Sequence, residues 1–211
     1  MVAAAEDTVR QARVLELFAE LLEYPHPGIA KTARECAEQV APENPEAAAM
    51  LGEFASFVER TPHDTLEEVF TATFDLDATC HPYIGYHMFG EDYKRSALML
   101  ELKDLFRQYD FDSGIELPDH VAVLLRFMSK CPDLELTAEI GREALVRTLE
   151  PMTTEAEPEP AEEGEIPPVL FDLGDNYRRV LTALRLVLQA RYGLPAEREN
   201  IPLPDPERLV S

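Results

Sequence analysis

Apolar residues return every three or four positions along most of this chain, and nowhere do they keep up the one-in-two alternation of a half-buried strand. Val14, Phe18, Leu21 and Leu22 share one face of a first helix, stopped by Pro25, Pro27 and Gly28. A second helix is expected over about Ile29 to Val40, and Ala47, Met50, Leu51, Phe54 and Val58 mark a third. Thr61, Pro62 and Asp64 read as the start of a fourth, with Thr61 as cap and Leu66, Val69, Phe70 and Phe74 as its apolar face. A short helix follows near Pro82 to Phe89. The next, begun by Gly90-Glu91-Asp92, carries the stripe Leu98, Leu102, Leu105 and Tyr109. Val121, Leu124, Leu125 and Met128 mark another. Asp133 caps the helix after that, and a long last one holds Tyr177, Leu181, Leu184 and Leu188. The expectation is an all-α fold: a single helical bundle domain over residues 1–211, of about eight to ten helices.

Two segments break the pattern. Residues 150–165 hold seven glutamates and no base, and residues 151–168 hold five prolines. Such a run buries too little apolar surface to fold alone, so 150–168 reads as a mobile acidic loop. Four more prolines make 194–211 an extended tail. The last helix is too short to be a domain and is expected to pack back on the bundle.

Charge restricts the partners. Asp and Glu number 41 against 19 Lys and Arg, a formal charge of -22. Nucleic acid and anionic membranes both need a basic surface, so neither is expected as a partner, nor is direct membrane insertion. The acidity fits either a cationic partner or plain solubility. Cys36, Cys80 and Cys131 are scattered and odd in number, with no Cys-x-x-Cys. They read as reduced thiols of a cytoplasmic protein. The sequence has no Gly-x-Ser-x-Gly, phosphate loop or dinucleotide fingerprint, so the chain is not expected to be an enzyme.

Residues 74–95 concentrate the remaining chemistry: three Tyr, two His, two Phe, one Cys and four acids. Aromatic rings with polar tips beside carboxylates suit a groove for a peptide both apolar and basic. Taken singly, Tyr83, Tyr86 and Phe89 read equally as core residues. Cys80, His81 and His87 raise a small metal protein or enzyme as the alternative. His81 and His87 lie about 240° apart on a helix, which is poor for shared ligation, and no metal is expected. A second motif, Leu117-Pro118-Asp119-His120, precedes an apolar helix. There Asp119 reads as the N-cap and His120 as the first helical residue, or both line a groove edge.

The order of Phe74-Asp75-Leu76, Cys80-His81-Pro82-Tyr83, the run from His87 to Arg95, and Leu117-Pro118-Asp119-His120 resembles the TorD/DmsD/NarJ family. Leu21-Leu22-Glu23-Tyr24-Pro25 resembles the end of that family's first helix. The likeness covers about residues 13–150 and is nearest the NarJ (nitrate reductase delta subunit) side, with echoes of chaperones for type II dimethyl sulfoxide reductase-family enzymes. It implies an all-helical cytoplasmic chaperone for the catalytic subunit of a molybdenum oxidoreductase. Such a chaperone binds the N-terminal, twin-arginine-type leader and holds the apoenzyme until the molybdenum cofactor enters. That cofactor belongs to the client and is not held stably by the chaperone. By motif, Asp119 and His120 become leader-binding candidates. Tyr83, Tyr86, His87 and Phe89 are added as groove wall, and Glu91 and Asp92 as arginine partners. A monomer or weak homodimer is expected. The other alternative is a structural subunit of the finished oxidoreductase.

Overall fold

The computed structural model describes residues 2–76, 80–90, 92–154 and 168–195. Ten α-helices form among them: α1 (Val2–Leu21), α2 (Ile29–Val40), α3 (Pro45–Arg60), α4 (His63–Thr71), α5 (Ile84–Phe89), α6 (Tyr93–Gln108), α7 (Val121–Lys130), α8 (Leu134–Glu139), α9 (Arg147–Thr153) and α10 (Pro168–Tyr192). The fold is all-α. Wide π-helical turns, Ala72–Leu76 and Ile140–Val146, extend α4 and join α8 to α9.

Local chemistry explains most boundaries. Asn44 accepts from the Ala47 amide and Pro45 occupies the first turn, so α3 starts there. Asp133 accepts from the Glu135 and Leu136 amides, as its position predicts. Thr61 departs from expectation: it closes α3, its hydroxyl donating to the Phe57 carbonyl at 2.8 Å, and Pro62 is the N-cap of α4. A threonine hydroxyl that can reach the carbonyl four residues back meets a free acceptor at the end of α3.

The core lies between α1, α3, α7 and α10. Leu17, Phe18 and Leu21 of α1 are fully buried, as are Leu51 and Phe54 of α3. Seven of the ten residues of α7 are buried. Leu181, Leu184 and Leu188 bring α10 back onto the bundle. At the centre, Tyr177 meets Phe54, Phe70 and Phe74 at ring-centroid distances of 5.0, 5.5 and 5.3 Å. Each such side chain contributes roughly 1.5–3 kcal/mol by leaving water.

α6 is packed differently. Only Leu102 and Phe106 of its sixteen residues are buried, and it rests mainly on α5. Tyr93 and Leu100 stand 77% and 60% exposed. Of the expected acidic loop, Glu150 to Thr153 instead complete α9 and bury Met152. That methionine gives the last turn an apolar anchor which a count of glutamates hides. Residues 155–167 of that loop, and 196–211 of the expected tail, lie outside the described residues.

Candidate functional site

The two sequence motifs meet. Ile84 N–H donates to the Asp119 carbonyl at 2.9 Å, and Val121 N–H to the Pro82 carbonyl at 2.8 Å. These bonds pair Tyr83 with His120 as one antiparallel bridge. Segments 37 residues apart thus become one seam at the N-terminus of α7.

His120, not Asp119, caps α7. Its Nδ1 accepts from the Ala122 amide at 3.0 Å, which requires a ring neutral at that nitrogen. The expectation of Asp119 as cap is out by one residue, because Asp119 turns inward. It is fully buried, and its Oδ2 accepts from Arg95 Nε of α6 at 3.0 Å. Its Oδ1 has no partner. A buried charge needs a counter-charge more than a helix needs that particular cap.

Gly85 makes the meeting possible. A Cβ there would lie 2.7 Å from Asp119 Oδ2 and 2.9 Å from Arg95 Cγ. The need is for space, since the positive-φ glycines among the described residues are Gly90, Gly114 and Gly193. The Arg95 guanidinium sits 5.3 Å above the Tyr83 ring, and the His120 ring meets Tyr83 edge-on at 5.2 Å. Tyr83 donates its hydroxyl to Glu116 at 3.2 Å. Burial, then Glu116 and more weakly Asp75 and Asp119, push the Tyr83 phenol up to about 12. Three carboxylates therefore act on Tyr83, and one guanidinium lies on its ring. Burial pushes the His120 imidazole below its usual value, against the pull of Glu116 and Asp119.

The other candidates form a second group. His81 Nδ1 is 3.0 Å from the Phe74 carbonyl, and His87 Nε2 is 2.7 Å from the His81 carbonyl. Tyr86 lies edge-on between the two imidazoles, at 4.8 and 5.5 Å. Burial lowers the His87 pKa despite the hydrogen bond to His81. Cys80 is buried, its thiol 3.7 Å from the Met152 carbonyl. Among the described residues no group of three or more His, Cys, Asp or Glu converges as a metal-binding set. Phe89 is half-buried on the last turn of α5. Asp92 is exposed and caps α6, its Oδ1 accepting from Lys94 N–H at 3.0 Å. Glu91 lies outside the described residues.

Sequence reasoning missed Arg95, Glu116 and Gly85. Glu116 stands directly before the Leu117–His120 motif, and that adjacency was the available signal. A groove of about 520 Å³ lies elsewhere, between Gly52 and Ser56 of α3 and Asn176 and Arg179 of α10. It contains none of the candidate residues. No helix among the described residues is long and apolar enough to cross a membrane.

A helical bundle whose Cys-His-Pro-Tyr and Pro-Asp-His segments are bridged beside an aromatic helix defines a class: the all-α proteins its motifs resemble. The family model described as nitrate reductase delta subunit matches residues 38–156, more than half the chain. The chain belongs to that family, on the NarJ side of the TorD/DmsD/NarJ chaperones. No curated protein matches the sequence significantly. Among solved structures, a protein described as a redox enzyme maturation protein from Archaeoglobus fulgidus is similar, with a TM-score of 0.55 and 21% identity. The match covers 84% of this chain and 93% of that one, and it shows a shared fold.

Proposed function

We propose that this protein is a non-catalytic, client-specific chaperone. It binds the basic, then apolar N-terminal leader of a molybdoenzyme catalytic subunit, a twin-arginine-type leader or its remnant. It holds the apoenzyme in the cytoplasm while the molybdenum cofactor enters, before export or membrane docking. The client is a respiratory nitrate reductase or a related type II enzyme. Family membership and the maturation role described for the structural neighbour support the chaperone reading. The single observation that carries the leader reading is the seam itself: Tyr83, bridged to His120 and hydrogen-bonded to the exposed Glu116 carboxylate, lies beside the aromatic residues of α5.

The chemistry suits the ligand. Carboxylates take guanidinium groups in charge-assisted, forked hydrogen bonds. Tyr86 and Phe89 offer apolar ring surface to a helix-forming run. A net charge of -22 draws a cationic leader in and makes association salt-sensitive.

The test is affinity capture from the source cells, with mass spectrometry of the co-eluting proteins. The expected catch is a molybdoenzyme catalytic subunit without its cofactor, while the finished enzyme carries no stoichiometric copy of this protein. A leader peptide of that subunit should then bind the purified protein, with affinity reduced at least several-fold by Glu116→Gln or Tyr83→Ala. Capture of no such subunit while it is plainly expressed sinks the proposal. Equal stoichiometry in the mature oxidoreductase favours a structural subunit.

A further inference from the structure

We propose that Arg95 is an internal occupant of an arginine site: a guanidinium from the client replaces it on Asp119 and frees the first turns of α6. The idea rests on the leader reading above and names what its acidic seam selects.

Asp119 has no solvent-accessible surface, so nothing from outside reaches its carboxylate while Arg95 is in place. The pocket is nonetheless built for a guanidinium, because it holds one: a carboxylate at 3.0 Å and a tyrosine face at 5.3 Å. Arg95 fills it incompletely. Only Nε reaches Oδ2, and Oδ1 stays buried without a partner. A guanidinium approaching as a fork satisfies both oxygens and gains the hydrogen bond that Arg95 leaves unmade. Lysine cannot do this, since an ammonium is a point charge without the planar fork.

The helix that carries Arg95 is free to yield. In α6 the buried residues Leu102 and Phe106 lie in the C-terminal half, and none lies in the first two turns. The N-terminal end follows Gly90, whose φ of +61° is a conformation that L residues disfavour. Lifting that end withdraws the partly buried Leu98 from the core but no fully buried residue. Glu116 stays hydrogen-bonded to Tyr83 to attract the incoming charge. Free protein keeps Asp119 paired and covered, and arginine opens it.

The experiment uses the full chain and two capped amino acids, acetyl-arginine amide and acetyl-lysine amide. Arg95→Ala empties the pocket. Millimolar acetyl-arginine amide should raise the melting temperature of this variant by several degrees, and acetyl-lysine amide should not. Asp119→Asn in the same background should abolish the response. Should Arg95→Ala fail to fold, Arg95→Lys keeps the charge without the fork and should show the same selectivity more weakly. Arginine-containing leader peptide should bind the Arg95 variant about tenfold more tightly than the parent, because an internal competitor is gone. Equal responses to both amides overturn the proposal, as does unchanged or weaker binding of a leader the parent does bind. A selective arginine response with no leader binding by any variant keeps the pocket and overturns the leader reading instead.

Discussion

Gly85→Ala tests the geometry of the seam most directly. In an ordinary helix the change stabilises, since alanine exceeds glycine in helix propensity by about 0.8–1 kcal/mol. Here the new Cβ would lie 2.7 Å from Asp119 Oδ2, 2.9 Å from Arg95 Cγ and 3.3 Å from Leu98 Cδ2. The first two are closer than real Cβ contacts, and neither neighbour yields cheaply. Asp119, just before the cap of α7, has no exposed surface, and Cγ is mid-chain in Arg95. Overpacking of this kind costs roughly 1–3 kcal/mol. Separating the ion pair instead leaves a buried, uncompensated carboxylate, at about 3–5 kcal/mol. With the propensity gain subtracted, a net loss of about 2 kcal/mol is expected. For a chain of this size that lowers Tm by roughly 4–8 °C. Circular dichroism at 222 nm follows the melt. In an Arg95→Ala background the penalty should shrink, because one of the two clashes is gone. A Gly85→Ala protein melting at or above the parent temperature would refute the reasoning.

Four further outcomes are expected. Tyr177→Phe should stabilise by about 1 kcal/mol, because the hydroxyl is buried without a partner among three phenylalanine rings; a lower Tm contradicts this. His120→Ala should cost about 1 kcal/mol through the lost cap, and His120→Asn should restore most of it. The parent should also lose stability on acidification more steeply than His120→Asn: burial lowers the folded-state pKa, so the unfolded chain takes up the proton first. That contribution is complete above the unfolded value of about 6.5 and is lost as pH falls below it toward the folded value, which matched melts across this range measure. Asn44→Ala removes the α3 cap and should lower Tm by a few degrees while leaving leader affinity unchanged, which separates a fold effect from a site effect.

The helices were legible because burial of a helix face writes a 3.6-residue period into the sequence. Val121, Leu124, Leu125 and Met128 are buried as their spacing requires, and so are Tyr177, Leu181, Leu184 and Leu188. Asp133 was legible as a cap because its Oδ1 is left to the helix start, Tyr109 donating to the other oxygen at 3.3 Å. The assignments that failed were decided by partners distant in sequence. Asp119 lost the cap to His120 because Arg95, 24 residues earlier, draws its carboxylate inward. Gly85 reads as an ordinary break in a short helix until Asp119 and Arg95 are placed against it. The π-helical turns at Ala72–Leu76 and Ile140–Val146 left no trace, since their residues fit an α-helical stripe equally well. The candidate site was half legible: Tyr83, Asp119 and His120 come together, while Arg95 and Glu116 complete the group unannounced.

The division of the molecule bears on how a chaperone lets go. The core formed by α1, α3, α7 and α10 buries its large side chains almost completely, and α7 carries the His120 end of the seam on that rigid base. The other wall, α5 and α6, contributes few buried residues and is joined to the base by the two backbone bonds at Tyr83, by Arg95 on Asp119 and by the Phe106 ring against Phe127 of α7 at 4.9 Å. A binding site with one fixed and one yielding wall can change its grip without disturbing the core, because the elements that move carry little of the stability. Exchange of one guanidinium for another also nearly conserves charge in the pocket. On the arginine exchange proposed above, the switch between free and bound states then costs only the difference between two arginines.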